Sequence, residues 1–122
     1  MKPDRLLQFA QELESLSFDA SFYAQKRDAW AADALLEKQR ELLATVDKVE
    51  RELKGAVRFN LTALVGIAFP LESTFDSIAE LLAGVEEIRE SAVSDAEDLP
   101  PKVRQFTRLV ENYVSASVPL AA

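Results

Sequence analysis

Carboxylates one helical turn apart are the only side chains in this sequence arranged for acid–base or metal chemistry: Glu37 with Glu41, and Glu86 with Glu90. Helical bundles do carry di-iron centres, but those combine Glu with a Glu-x-x-His pattern on facing helices, and the chain contains no His. It contains no Cys either. The one side chain that exchanges protons near neutrality, the thiolate nucleophile and the soft metal ligand are therefore missing together. Both carboxylate pairs lie among other charges and off the apolar stripes, where a solvated helix face accounts for them. Oxygen ligands alone can hold Mg²⁺ or Ca²⁺, yet no calcium-loop spacing occurs; the nearest acidic run is Ser94-Asp95-Ala96-Glu97-Asp98. The three Gly residues form no phosphate loop, and no Ser stands with a candidate base. The expectation is a non-enzymatic protein without a cofactor or a dedicated metal site.

Function is then to be sought in surfaces. Glu72, Asp76 and Glu80 stand four apart, and Glu87 and Glu90 continue roughly the same helix side. Residues 72–98 hold nine acidic residues against Arg89 alone, in a chain of formal charge −7. Like charges at this spacing repel by about 0.2–0.5 kcal/mol per pair, so either bases elsewhere in the chain relieve the stripe or a basic partner does. Arg104 and Arg108, four apart on the helix that would return alongside, are placed to neutralise part of it. The surplus points to docking onto a basic protein surface; the alternative is imitation of the DNA backbone, with the 72–98 helix occupying a nucleic-acid groove of some DNA- or RNA-binding machine.

Aromatic residues cluster in the first quarter of the chain, at Phe9, Phe18, Phe22, Tyr23 and Trp30. Core filling competes with recognition as their role, but Trp and Tyr are frequent interface anchors. Trp30, Tyr23 and Phe22 thus join Glu72, Asp76, Glu80, Glu87 and Glu90 as the candidate partner-binding residues. Lys48, Arg51, Lys54 and Arg58 also recur along one helix side, the pattern a phosphate backbone would need. Acids at 47, 50 and 52 interleave with them, so pairing within the helix is expected rather than direct nucleic-acid binding.

The elements that must position these residues are helical. Leu6, Phe9, Leu13 and Leu16 recur at three and four, which marks a first helix with Asp4 as its N-cap; over Ser15 to Ala24 the pattern leaves open whether it bends or runs on. Asp28 suits the cap of a second helix starting at Ala29-Trp30. Leu35, Leu42, Val46, Val49 and Leu53 follow a seven-residue alternation with Gln39 at the one polar seam position, the mark of a long helix. Asp47 with Arg51, Lys48 with Glu52 and Glu50 with Lys54 are opposite charges four apart on its outer face. Lys54-Gly55 is where a turn is expected. Residues 56–69 alternate like a strand, but a lone strand has no partner for its backbone, so a short buried helix is expected, continuous with the one before if Gly55 is merely tolerated. Pro70 and the Ser73 to Asp76 capping spacing open a helix through Leu71, Phe75, Ile78, Leu82, Val85 and Ile88. Leu99-Pro100-Pro101 reads as a loop, Val103, Phe106, Val110 and Tyr113 as the last helix, and 115–122 as a frayed tail.

The fold expected is all-α: a single domain over 1–122, an antiparallel bundle of four or five helices with one long central helix. With 48% hydrophobic and 29% charged residues the chain has the composition of a folded domain. The absence of Cys favours a reducing, cytoplasmic setting, the N-terminus lacks the apolar core of a signal peptide, and the longest weakly charged stretch, Phe59 to Leu71, is too short to span a bilayer. Ala24-Gln25-Lys26-Arg27-Asp28-Ala29-Trp30, followed by Leu36, Arg40 and Leu43, resembles the interhelix turn of small flagellar export chaperones, and Leu120-Ala121-Ala122 is similar to the end of the bacterial tag that marks stalled products for proteolysis. Both are generic patterns, and neither assigns the chain to a family. A long helix extending past its neighbours must cover its seam, so a homodimer or a bound partner helix is expected. The function class that results is an adaptor, assembly chaperone or small inhibitor, binding through apolar seams and an acidic face.

Overall fold

The computed structural model describes residues 3–26, 28–63 and 71–121, with side chains described for 5–26, 28–55 and 77–115. Four α-helices account for nearly all of them: α1 (Pro3–Gln25), α2 (Ala29–Ala63), α3 (Leu71–Ser94) and α4 (Leu99–Ala121), with a 3-10 turn at Ala96–Asp98 joining the last two. No strand occurs among the described residues.

Each helix packs against two others, α1 on α2 and α4, α3 on α2 and α4. Side-chain contacts fix every neighbouring pair as antiparallel. Arg5 meets Glu52 and Lys38 meets Asp19 between α1 and α2; Gln39 reaches Ala92, and Arg89 reaches Asp47 and Glu50, between α2 and α3. Lys102 meets Ser91 and Phe106 lies against Gly84 between α3 and α4, and Arg104 meets Glu14 on the α4–α1 side, where Ser21 reaches Glu97 just ahead of α4. The chain runs up and down around a square, and α2, 35 residues long, occupies a corner of it as the other three do.

The apolar spacing explains the packing. Leu6, Leu13 and Leu16 of α1, Leu42, Val46, Val49 and Leu53 of α2, Ile78, Leu81, Val85 and Ile88 of α3, and Leu99, Val103, Phe106, Val110 and Tyr113 of α4 form one buried core. At position 84 the α3 backbone runs against the Phe106 ring, so close that a Cβ there would lie 2.8 Å from Phe106 Cδ1. Buried hydroxyls bond back along their own helices, Thr45 to the Glu41 carbonyl and Thr107 to that of Val103. No buried described side-chain polar atom lacks a hydrogen-bond partner.

Several boundaries differ from the sequence expectation. α1 runs unbroken to Gln25, and because it starts at Pro3, Asp4 lies inside its first turn rather than ahead of it. No turn forms at Gly55: α2 passes through it to Ala63 without positive φ, because a glycine inside a helix costs only about 1 kcal/mol relative to alanine. The strand-like alternation at 56–63 is therefore helical, continuous with α2, while 64–70 with Pro70 lie outside the described residues. Ser73 lies inside α3, which starts at Leu71, and so is not its N-cap. Leu99-Pro100-Pro101 is the first turn of α4, not a loop, since the N–H groups that proline lacks have no intrahelical partner at a helix start. α4 is helical through Ala121, across the expected tail.

Candidate functional site

The α1–α2 hairpin is longer than the α3–α4 turn beside it. Ser21 on α1 is already level with that turn, its hydroxyl donating to the Glu97 carbonyl at 2.7 Å. Gln39 on α2 is level with the end of α3, its amide donating to the Ala92 carbonyl at 2.8 Å, one of the last four of that helix. Residues past Ser21 and before Gln39 therefore project as a two-helix tip, and on α2 the projection from Ala29 to Lys38 amounts to about 15 Å at 1.5 Å per residue. At the base of the tip and within it, small residues let the two helices approach: Ala20 and Ala31 are buried. Two helices offer only one covered face each, and every large apolar residue on the outer faces stays in water.

Phe22, Tyr23 and Trp30 meet at this tip. Tyr23 is half-buried and takes Phe22 on one side, centroids 5.4 Å apart, and Trp30 on the other at 5.9 Å, both edge to face. Phe22 is 53% exposed and Trp30 56%. The Lys26 ammonium lies 4.7 Å over the Phe22 ring. Asp28 immediately precedes α2, its backbone carbonyl accepting from the Ala31 and Ala32 N–H groups. The tip's one resolved ionisation shift is at Lys38, whose ammonium is pushed above its usual range by the hydrogen bond it donates to the Glu41 carboxylate and further by Asp19.

A turn along α1 from Phe22, Phe18 is 48% exposed and borders a groove of about 550 Å³ formed with Pro100, Pro101, Arg104, Gln105 and Arg108 of α4. The Arg104 guanidinium stands 5.8 Å over the Phe18 ring and 3.6 Å from the Glu14 carboxylate. Arg104 thus faces α1, not the acidic helix it was expected to neutralise. This groove was missed in the sequence, although its signal was there: Phe18 and Phe22 are four apart and off the Leu6–Leu13–Leu16 stripe, so they share an outer face.

The acidic candidates lie on α3, where Glu80 and Glu87 border a smaller groove of about 230 Å³ with Lys102, Gln105 and Phe106 of α4. Glu80, Glu87 and Glu90 are exposed on α3 and form no ion pair with a described residue; Glu72 and Asp76 belong to the same helix, with side chains outside the described residues. The single base of the segment is drawn elsewhere. Arg89 binds Glu50 at 2.5 Å, Asp47 at 3.0 Å and Glu86, which holds its guanidinium well above the usual range, Glu50 contributing most. Glu50 in turn is pulled below the usual carboxylate range by Lys54, at 3.0 Å, and by Arg89. Of the three expected pairs on α2, only Glu50 with Lys54 forms; Glu52 goes to Arg5 and Asp47 to Arg89. Lys48 and Arg51 line a smaller depression, of about 370 Å³, with Arg5, Gln8, Phe9 and Glu52, and Arg58 lies outside the described side chains.

Glu41 engages Lys38 and Glu86 engages Arg89, so each carboxylate pair has one member committed to a salt bridge. No group of His, Cys, Asp and Glu positioned to hold a metal occurs among the described residues, and no helix among them is long and apolar enough to cross a membrane. The chain matches no protein-family model, no curated protein and no solved structure.

Proposed function

We propose that the protein is a non-enzymatic module of the adaptor, assembly-chaperone or inhibitor class that recognises another protein through the aromatic tip of its α1–α2 hairpin. The exposure of Phe22 and Trp30, stacked on Tyr23 where only two helices remain, is the observation that carries this reading. Each ring leaves about half of the roughly 150–250 Å² it could bury in water; at about 25 cal/mol per Å² that is about 2–3 kcal/mol per residue of hydrophobic stabilisation that only a partner would supply. The α2 seam, in contrast, is spent: Leu42, Val46, Val49 and Leu53 are buried against the chain's own helices. An up-and-down four-helix bundle with α2 as its longest member provides the rigid support. Three facts support a non-catalytic role: there is no His or Cys, and the resolved shifts of Lys38, Arg89 and Tyr113 run upward and that of Glu50 downward, all away from neutrality. The absence of Cys also suits a cytoplasmic setting.

Affinity capture from native lysate, comparing the wild-type chain with a Phe22→Ser/Trp30→Ser variant, tests the proposal. The expected result is a protein retained in stoichiometric amount by the wild type and lost with the variant, while both forms melt at the same temperature. Identical retained proteins on both would refute it. Charge mimicry is the second reading, favoured by Arg89 being committed to α2 so that Glu80, Glu87 and Glu90 stand unneutralised by the described residues. It requires retention that falls steeply with ionic strength and is abolished by Glu80→Lys with Glu87→Lys; apolar docking at the tip requires retention that survives both.

A further inference from the structure

We propose that the groove beside Phe18 holds a short acidic segment of a partner protein, its carboxylates on Arg104 and Arg108 and an apolar side chain against Phe18 and Pro101. This deepens the reading of the tip as a protein-binding surface and rests on it, because Phe18 and Phe22 are one turn apart on α1 and the groove continues the same exposed strip.

Charge identifies the occupant. The chain carries −7 overall, yet the cations along this apolar strip are Lys26 over Phe22, Arg104 over Phe18 and Arg108 on the groove wall. Opposing them, Glu14 is engaged by Arg104 at 3.6 Å, and Glu111 lies a turn beyond Arg108 on α4. Glu97 and Asp98 precede Leu99 in the 3-10 turn, about 10 Å ahead of Arg104 at 1.5 Å per residue. The arginine end of the groove is therefore the one that attracts carboxylates, with the fork geometry that binds them in pairs, and the proline end accepts the apolar side chain.

Charge also decides between a peptide segment and a second copy: two copies meeting strip to strip would set Lys26, Arg104 and Arg108 against their own counterparts, whereas an acidic segment brings carboxylates to them. A nucleic acid, charged along its whole length, would meet Glu97, Asp98 and the acidic remainder of the molecule, whereas a peptide brings only the few carboxylates that the arginines take.

The probe is a fluorescently labelled synthetic peptide alternating Glu or Asp with Leu or Phe, titrated into the full chain and followed by anisotropy. Saturable binding is expected, weakened at least tenfold by Arg104→Gln with Arg108→Gln and likewise by Phe18→Ser, and undisturbed by a Lys-for-acid analogue, by oligothymidylate or by phosphatidylserine vesicles as competitors. Arg104 and Arg108 are exposed, and their neutral variants retain the fold, as a thermal melt will show. No binding of the acidic peptide, binding indifferent to the arginines, or displacement by any of the three competitors overturns the assignment. Failure of this experiment with a tip-dependent partner still captured from lysate refutes only the acidic segment; loss of the captured partner's dependence on Phe22 and Trp30 refutes the function itself.

Discussion

Two glycines, both inside helices, should respond to the same substitution with opposite signs. Gly55 lies exposed in α2, without positive φ, and a Cβ built there meets nothing within 4 Å. Gly55→Ala therefore gains helix propensity and loses unfolded-chain entropy at no steric cost, a stabilisation of about 0.5–1 kcal/mol. Gly84 lies in α3 where a Cβ would stand 2.8 Å from Phe106 Cδ1 and 3.4 Å from Cε1. Phe106 is 2% exposed and sits in the middle of the core, so the ring has little room to retreat. Overpacking of this kind costs about 1–3 kcal/mol, which the propensity gain only partly offsets.

Because the propensity gain is common to both variants, the difference between them isolates the steric contribution, about 1–3 kcal/mol. For a chain of this size roughly 4 °C per kcal/mol converts that to a gap of about 4–12 °C in Tm, measurable by circular dichroism melts and by urea midpoints. Gly55→Ala is expected to melt above the wild type and Gly84→Ala below it. A destabilised Gly55→Ala would mean that the chain turns at Gly55, as the Lys54-Gly55 pair suggests in the sequence, and that α2 is not continuous. A Gly84→Ala protein as stable as Gly55→Ala would mean that α3 and α4 do not approach at this level.

Gln39→Ala leaves the Ala92 carbonyl without its donor at the end of α3 and is expected to lower stability by about 1–3 kcal/mol, read as a drop in urea midpoint with the slope unchanged; an unaffected midpoint would show that this amide does not tie α2 to α3. For Glu50, whose folded pKa lies below its unfolded value near 4.3, the stabilising contribution is present above that value and is lost as the pH falls through the folded one. Glu50→Gln should therefore be less stable than the wild type at pH 7 and lose less stability between about pH 5 and pH 2, and parallel acid-unfolding curves for the two proteins would contradict the assignment.

Most of the fold was legible because helical periodicity is a local property. The core stripes of α1, α3 and α4 and the seam from Leu42 to Leu53 were written in spacings of three and four; their described residues are buried except Phe9 and Leu82, which pack half-buried against the core, while the Leu71 and Phe75 side chains lie outside the described residues. What spacing could not convey was continuity. Gly55, Pro100 and Pro101 are residues that end helices in many contexts, yet each is cheap where it stands: an exposed glycine in a long helix, and prolines in a first turn where no N–H is needed. Gln39 shows the opposite case. It was singled out as the one polar residue on the seam, and the reason for its place became visible only when α3 ended beside it.

The candidate site was legible as residues but not as surfaces, and the charges show why. Sequence spacing places an acid and a base on the same helix, four apart, whereas a guanidinium chooses among every carboxylate within reach of its long stem. Arg89 is held across a helix interface by α2, and Arg104, still exposed, leans toward α1, and both directions follow from the square arrangement, in which α3 faces α2 on one side and α4 faces α1 on the other. Glu80 and Glu87, which border the α3–α4 groove with Lys102 of α4, and Glu90 are therefore reached by neither arginine. The same geometry leaves the strip from Trp30 to Arg108 as the place where aromatic rings and cations coincide. Acidic residues on α3 and an aromatic, arginine-lined groove between α1 and α4 thus lie on different helices of the same bundle, a separation that spacing along any one helix does not convey.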